Sequence, residues 1–295
     1  VKLGFHLNDY DWTGGAARLG PALAEIAHAA DEAGFDRIGV ADHFWRSHYL
    51  GSVEGPELEC YTTLGFLAAS TRRAKLTAMV TAATYRQPGL LAKIVTTLDV
   101  LSGGRAWLGI GAGDYDAEAR GLGLSFPPLR ERFAMLEETL QICLRMWDGV
   151  NGDDRPYQGT HFHLERTLNS PQSLTRPHPP ILLGGSGEHT LRLVARYADA
   201  CNIRPGPDIP QKLEMLRHFC DEEQRDYDAI EKTAPFAFDM GEKGRDDMKV
   251  GDLLGQLRWL ASMGIQTVIG FVPHVELITP LEILGREVIP AIVGL

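Results

Sequence analysis

The sequence predicts a closed (β/α)8 TIM barrel spanning residues 1–295 as a single domain. Three observations lead there. Short apolar runs of four to seven residues alternate with longer stretches of helical period. The alternation repeats eight times, and strands alternating with helices make parallel βαβ units, eight of which close into a barrel. No linker of Gly/Ser or Pro composition divides the 295 residues, a length that suits one large barrel. A doubly wound sheet is the alternative, because strand order is not legible in one sequence.

Each element has a local cause. Lys2–Leu7 reads as the first strand, and Leu19–Ala33 as a helix with Leu23, Ile26, Ala27 and Ala30 on one face. Gly34 stops that helix, and Arg37–Ala41 is the second strand. Tyr61–Ser70 is helical, Lys75–Val80 is the third strand, and Pro88–Leu101 is a helix opened by its proline. Ala106–Ile110 follows as the fourth strand and Leu129–Met146 as a long amphipathic helix. Gly149–Pro180 then breaks the rhythm. It is rich in Gly, Pro and polar residues, holds a hairpin at Tyr157–Leu164, and forms an insertion before strand five. Strands Ile181–Gly184, Ala200–Ile203, Thr233–Asp239 and Thr267–Phe271 resume the alternation with helices His189–Tyr197, Ile209–Tyr227, Lys249–Met263 and Leu281–Ile292.

Composition narrows the function classes. There are 29 basic and 39 acidic residues, a net charge of −10, which argues against a nucleic-acid partner. Apolar runs fall short of the roughly 20 residues of a membrane span, and no charged segment followed by an apolar one opens the chain. Cys60, Cys143, Cys201 and Cys220 are widely spaced, without zinc-site spacing, and read as reduced, mostly buried thiols of a cytoplasmic protein.

On a barrel the chemistry sits at the carboxyl ends of the strands, so the loops after strands two to five are the places to search. Gly184-Gly185-Ser186-Gly187 ends a strand and opens a helix, where close backbone approach and unpaired amides suit an anion such as a cofactor phosphate. Glu188 stands where G-x-S-x-G would have its last glycine, so Ser186 is not a nucleophile. Gly109–Gly113 lacks the G-x-G-x-x-G spacing and reads instead as close backbone approach to something flat. Asp42-His43 ends strand two, where a carboxylate beside an imidazole can tune a proton donor. Trp45, just beyond, and Phe5 of strand one are expected to wall the substrate pocket. His161 and His163 are expected on one face of a half-exposed hairpin rather than on a metal, and no metal site is expected. Asp114, Asp116 and Glu118 read as a solvated acidic loop, with Asp114 nearest the strand and able to face a ligand.

Taken in order, several segments resemble the luciferase-like monooxygenase superfamily, in its coenzyme F420-dependent oxidoreductase branch. They are Ala41-Asp42-His43-Phe44, Met79-Val80-Thr81 with Arg86 and Pro88, and Leu101–Arg105, followed by Gly109–Gly113, Arg130-Glu131-Arg132-Phe133 and Pro177–Gly187. The resemblance covers essentially the whole chain. It implies that Asp42 and His43 lie against a deazaflavin ring, with His43 the proton donor or hydrogen-bonding group. It implies a non-proline cis peptide at Met79–Val80, in a Met79, Val80, Thr81, Ala82 segment that backs the ring. Ala112 and Gly113 would line the cofactor, and Gly184, Gly185, Ser186, Gly187 and Glu188 would hold its phosphate. Asp114 falls where sugar-phosphate dehydrogenase relatives carry a proton-handling Glu and others an aromatic. The implied activity is hydride transfer between F420 and a small organic substrate. FMN-dependent monooxygenation and a catalytically silent flavin- or deazaflavin-binding barrel are the alternatives. By analogy with relatives, a homodimer is expected.

Overall fold

The computed structural model describes residues 1–47, 49–240 and 249–294. Eight strands form the wall: β1 Lys2–Leu7, β2 Arg37–Val40, β3 Lys75–Ala78, β4 Ala106–Gly111, β5 Ile181–Gly184, β6 Ala200–Asn202, β7 Glu231–Ala237 and β8 Thr267–Phe271. Neighbours pair in parallel in chain order. β1 also pairs with β8 over five residues, from Lys2 opposite Thr267 to His6 opposite Phe271. Leu76 and Thr77 of β3 pair with Ala106 and Trp107 of β4, which closes the ring and excludes the doubly wound sheet.

The helices are α1 Ala16–Ala33, α2 Cys60–Ser70, α3 Pro88–Ser102, α4 Asp116–Gly121, α5 Leu129–Trp147, α6 Glu188–Tyr197, α7 Ile209–Glu222, α8 Val250–Ser262, α9 Thr279–Ile283 and α10 Ile289–Ile292. α1 buries Leu19, Ala22, Leu23, Ile26, Ala27 and Ala30 on the barrel and stops at Gly34, whose φ of 90° suits a residue without Cβ. Two expected helices end differently. The one from Ile209 stops at Glu222, because Gln224 turns left-handed and Arg225 N–H caps the Cys220 carbonyl. The final helix is divided by a wide π turn over Leu284–Val288, just ahead of Pro290, which has no N–H to continue the ladder.

The 149–180 insertion carries the expected hairpin, Tyr157–Gln158 antiparallel to His163–Leu164. His161 and His163 do not share a strand face. His161 lies in the turn, where the amides of Thr160, His161 and Phe162 donate to Glu138.

Alternation along the strands divides the barrel interior from the helix layer. Leu3, Phe5 and Leu7 of β1 join the core under the helices, and Phe5 meets Phe35 edge-on at 6.2 Å. Gly4 faces the other way, toward Arg37 and Ile269. The barrel floor is polar. Arg37 is buried, bonds Glu231 at 2.6 Å and lies 4.5 Å over the Trp107 ring. Above it sit Leu182, Ala200 and Ile269 with Met79, Val80 and Trp107 packed against them.

Candidate active site

The upper end of the barrel is built around a bulge in β3. The Met79–Val80 peptide is cis, as the resemblance implied, and Thr81–Ala82 then resumes pairing with Ile110 and Gly111 of β4. Glycines on the neighbouring strands make room for this segment. An ideal Cβ at Gly39 would fall 2.5 Å from Met79 Cγ, and one at Gly184 2.8 Å from Val80 Cγ2. At Gly109 it would fall 1.9 Å from the Ala78 carbonyl oxygen. The close approach expected at Gly109–Gly113 is therefore first of all an approach to β3. Arg132 pins the same loop, donating to the Ala112 and Gly113 carbonyls from over the Phe126 ring.

Asp42 and His43, adjacent in sequence, have different partners. Asp42 is buried and held by both guanidinium nitrogens of Arg86, with Thr81 Oγ1 donating to the same carboxylate. Arg86 continues to Glu59 at 2.6 Å and packs 4.7 Å from the Tyr61 ring centre. Such a bidentate pair fixes the carboxylate's geometry toward Arg86.

The carboxylate on His43 belongs to Glu118 instead. Glu118 lies in α4, has a fully buried side chain, and corrects the expectation of a solvated acidic loop. Its Oε2 sits 3.2 Å from His43 Nδ1 and accepts from the Tyr85 hydroxyl at 2.5 Å. Its Oε1 accepts the Phe44 and Trp45 amides at 2.7 and 2.8 Å. Burial alone would raise the Glu118 pKa, but these four donors hold it below the ordinary carboxylate value. Burial likewise pulls His43 down, and the Glu118 hydrogen bond and charge, helped by Asp114 and Glu57, more than reverse it. The charged form of His43 is thus favoured above its ordinary pKa, and the side chain is still 28% exposed, with Nδ1 turned to Glu118.

Further acid–base groups surround it. Burial, reinforced by Glu118 and Asp9, pushes Glu57 up to about 8. His6, inward on β1 beside Gly39, is pulled down to about 4, chiefly by burial. Asp114 is exposed on the rim. Trp45 lies against α4, where an ideal Cβ at Gly121 would fall 2.0 Å from its ring. Phe5, expected in the substrate pocket, packs its ring edge-on to Phe35 and is also among the residues lining the cavity at the top of β1 and β8.

The model of the luciferase-like monooxygenase family matches residues 9–243. The chain belongs to this family. A curated relative, the F420-dependent glucose-6-phosphate dehydrogenase of Nakamurella multipartita, is 32% identical over 194 residues, 64% of this chain and 54% of its own length. The chain thus spans about half of that relative. Among solved structures, the coenzyme F420-dependent tetrahydromethanopterin reductase of Methanopyrus kandleri superposes with a TM-score of 0.78 at 18% identity, over 98% of this chain and 99% of that one. Monooxygenase RslO1 of Streptomyces bottropensis gives 0.80 at 18% identity, with the same coverage of both chains. These likenesses establish the family barrel.

Within that barrel, Asp42, His43, Met79, Val80, Thr81, Ala82, Ala112, Gly113 and Gly184 converge on one side of the mouth. Gly185, Gly187 and Glu188 are exposed at the start of α6, whose first turn has no side-chain cap. Among the described residues no group of three or more His, Cys, Asp or Glu side chains could hold a metal ion.

Proposed function

We propose that this family member is a coenzyme F420-dependent oxidoreductase that moves a hydride between the deazaflavin and a small organic substrate. The observation that carries the reading is the His43–Glu118 pair placed beside the Met79–Val80 bulge. The F420 dependence for which the Nakamurella multipartita relative is named supports the same cofactor. The fit is good on this chain's own residues. Gly39, Gly111 and Gly184 leave the inward wall thin around Met79 and Val80, which offers a flat apolar backing to a ring. Gly187 has open space at its Cβ position and starts a ten-residue helix without a side-chain cap, which suits a phosphate.

The deazaflavin supplies a two-electron hydride carrier that lacks N5. The chain supplies the rest. Met79–Ala82, Ala112 and Gly113 support the ring, and the Gly184–Glu188 turn holds the phosphate. His43, its charged form favoured by Glu118, would donate a hydrogen bond from Nε2 to an oxygen that gains or loses charge as hydride moves. Asp114 and Glu57 stand close enough to His43 to shift its titration and are candidates to pass its proton to solvent.

The test is a fluorescence titration of the purified protein with F420 and, separately, with FMN. Micromolar F420 binding with hydride exchange is expected. Micromolar binding of FMN alone would assign the monooxygenase chemistry instead, and F420 binding without exchange would leave a silent binding barrel. We further infer a homodimer. α2 exposes Thr62, Gly65, Phe66 and Ala69, and the adjacent α3 exposes Leu90, Thr97 and Leu101, a largely apolar face on which Lys93 is turned aside to the Ser170 carbonyl. The four buried free cysteines fit a reducing, cytoplasmic compartment.

A further inference from the structure

A cavity of about 290 Å³ opens at the top of β1 and β8, with His6 among its lining residues. Its walls carry Asp9, Asp11 and Glu276, and its one lysine or arginine among the described residues is Arg46. Arg46 is already spoken for. It is buried, with Nη2 donating to Asp9 at 2.9 Å and Nη1 to Asp11 at 3.1 Å. With both terminal nitrogens donating to carboxylates its charge is matched in place, although Nε has no partner, and three carboxylates against one cation leave the cavity negative, which disfavours an anion. Among apolar neighbours that include Leu7, Trp12 and Val272, two further lining residues are polar without charge. His6 Nε2 and Asn8 Oδ1 are buried and have no partner, and His6 is neutral at physiological pH. A hydroxyl group, which both donates and accepts, completes such a pair, whereas an anion does not.

We propose that this cavity selects a non-anionic, hydroxyl-bearing substrate and rejects phosphorylated ones, with Asp9 and Asp11 setting that choice by occupying Arg46. The proposal rests on the F420 reading for its chemistry, but its charge selectivity concerns the cavity alone. It separates this chain from the relative named for glucose 6-phosphate, despite their shared barrel.

The experiment first titrates F420 by fluorescence, which settles the cofactor independently. Calorimetry with inorganic phosphate then follows on wild type, Asp9→Asn/Asp11→Asn, and that double variant with Arg46→Gln, each with F420 present if it binds. The expected result is no Arg46-dependent phosphate binding in wild type and at least about tenfold tighter binding in the double variant. That gain is expected to vanish on adding Arg46→Gln. Phosphate binding in wild type that Arg46→Gln removes overturns the proposal, and so does a double variant that folds and gains nothing. Should the double variant melt out, Asp11→Asn alone carries the same comparison. In turnover, wild type is expected to favour glucose over glucose 6-phosphate as a probe pair. The reverse preference overturns the proposal even where F420 binding holds.

Discussion

Four hydrogen bonds converge on the Glu118 carboxylate, and their energetic meaning is testable at a single atom. Glu118→Gln keeps the shape and removes the charge. The His43 pKa is then expected to fall, since the main groups raising it are the Glu118 hydrogen bond and charge. Imidazole titration by NMR checks this directly, and the alkaline limb of the pH–rate profile should move to lower pH. The rate should drop by about one to two orders of magnitude, less than the ~10²–10⁴ associated with losing an acid–base group outright. Linkage fixes the sign for stability. His43 is raised in the folded state, so its contribution is fully present below its ordinary value of 6.5 and is lost as pH rises through the folded pKa. In Glu118→Gln that pH dependence should flatten. His43 was legible in the sequence because it closes a strand, but its carboxylate was not. Asp42 is adjacent in sequence and Glu118 is 75 residues away, and only the closed barrel brings α4 over the end of β2. The one local signal was composition, since Asp116-Ala117-Glu118-Ala119-Arg120 has the acidic first turn and basic last turn of a short helix.

At the scale of elements, glycines separate into two kinds that sequence alone does not distinguish. Gly109 faces the Ala78 carbonyl oxygen, and a methyl group there collides with backbone that cannot yield. Gly109→Ala is expected to cost about 3 kcal/mol or more, read as a shift in the guanidinium midpoint. Gly255, inside α8 with nothing within 4 Å of its Cβ position, should do the opposite. Gly255→Ala should gain about 0.5–1 kcal/mol in the same measurement, because alanine loses less backbone freedom in a helix. Strands with an unbroken apolar run, such as Ile181–Gly184 and Thr267–Phe271, match their expected bounds, since burial on both faces marks them clearly. Lys75–Val80 was expected as one strand and ends at Ala78, because the cis peptide that follows leaves no trace in hydrophobic pattern. Which face of a buried strand looks inward depends on register with both neighbours.

For the whole molecule, the largely apolar α2–α3 face predicts a symmetric pair. Phe66→Glu with Leu101→Glu, at residues 43% and 72% exposed, should yield a monomer in sedimentation equilibrium while leaving the melting profile cooperative. A wild-type protein that sediments as a monomer would remove the inference. The barrel's floor bears on traffic instead. With Arg37 buried over Trp107 and bonded to Glu231, side chains plug the lower end among the described residues. A chamber with a single doorway imposes a queue. Whatever rests against Met79 and Val80 must arrive first and depart last, and whatever covers it must leave before it can be exchanged. Two partners served in turn would then have to use the same opening, one after the other, with the deeper guest staying in place.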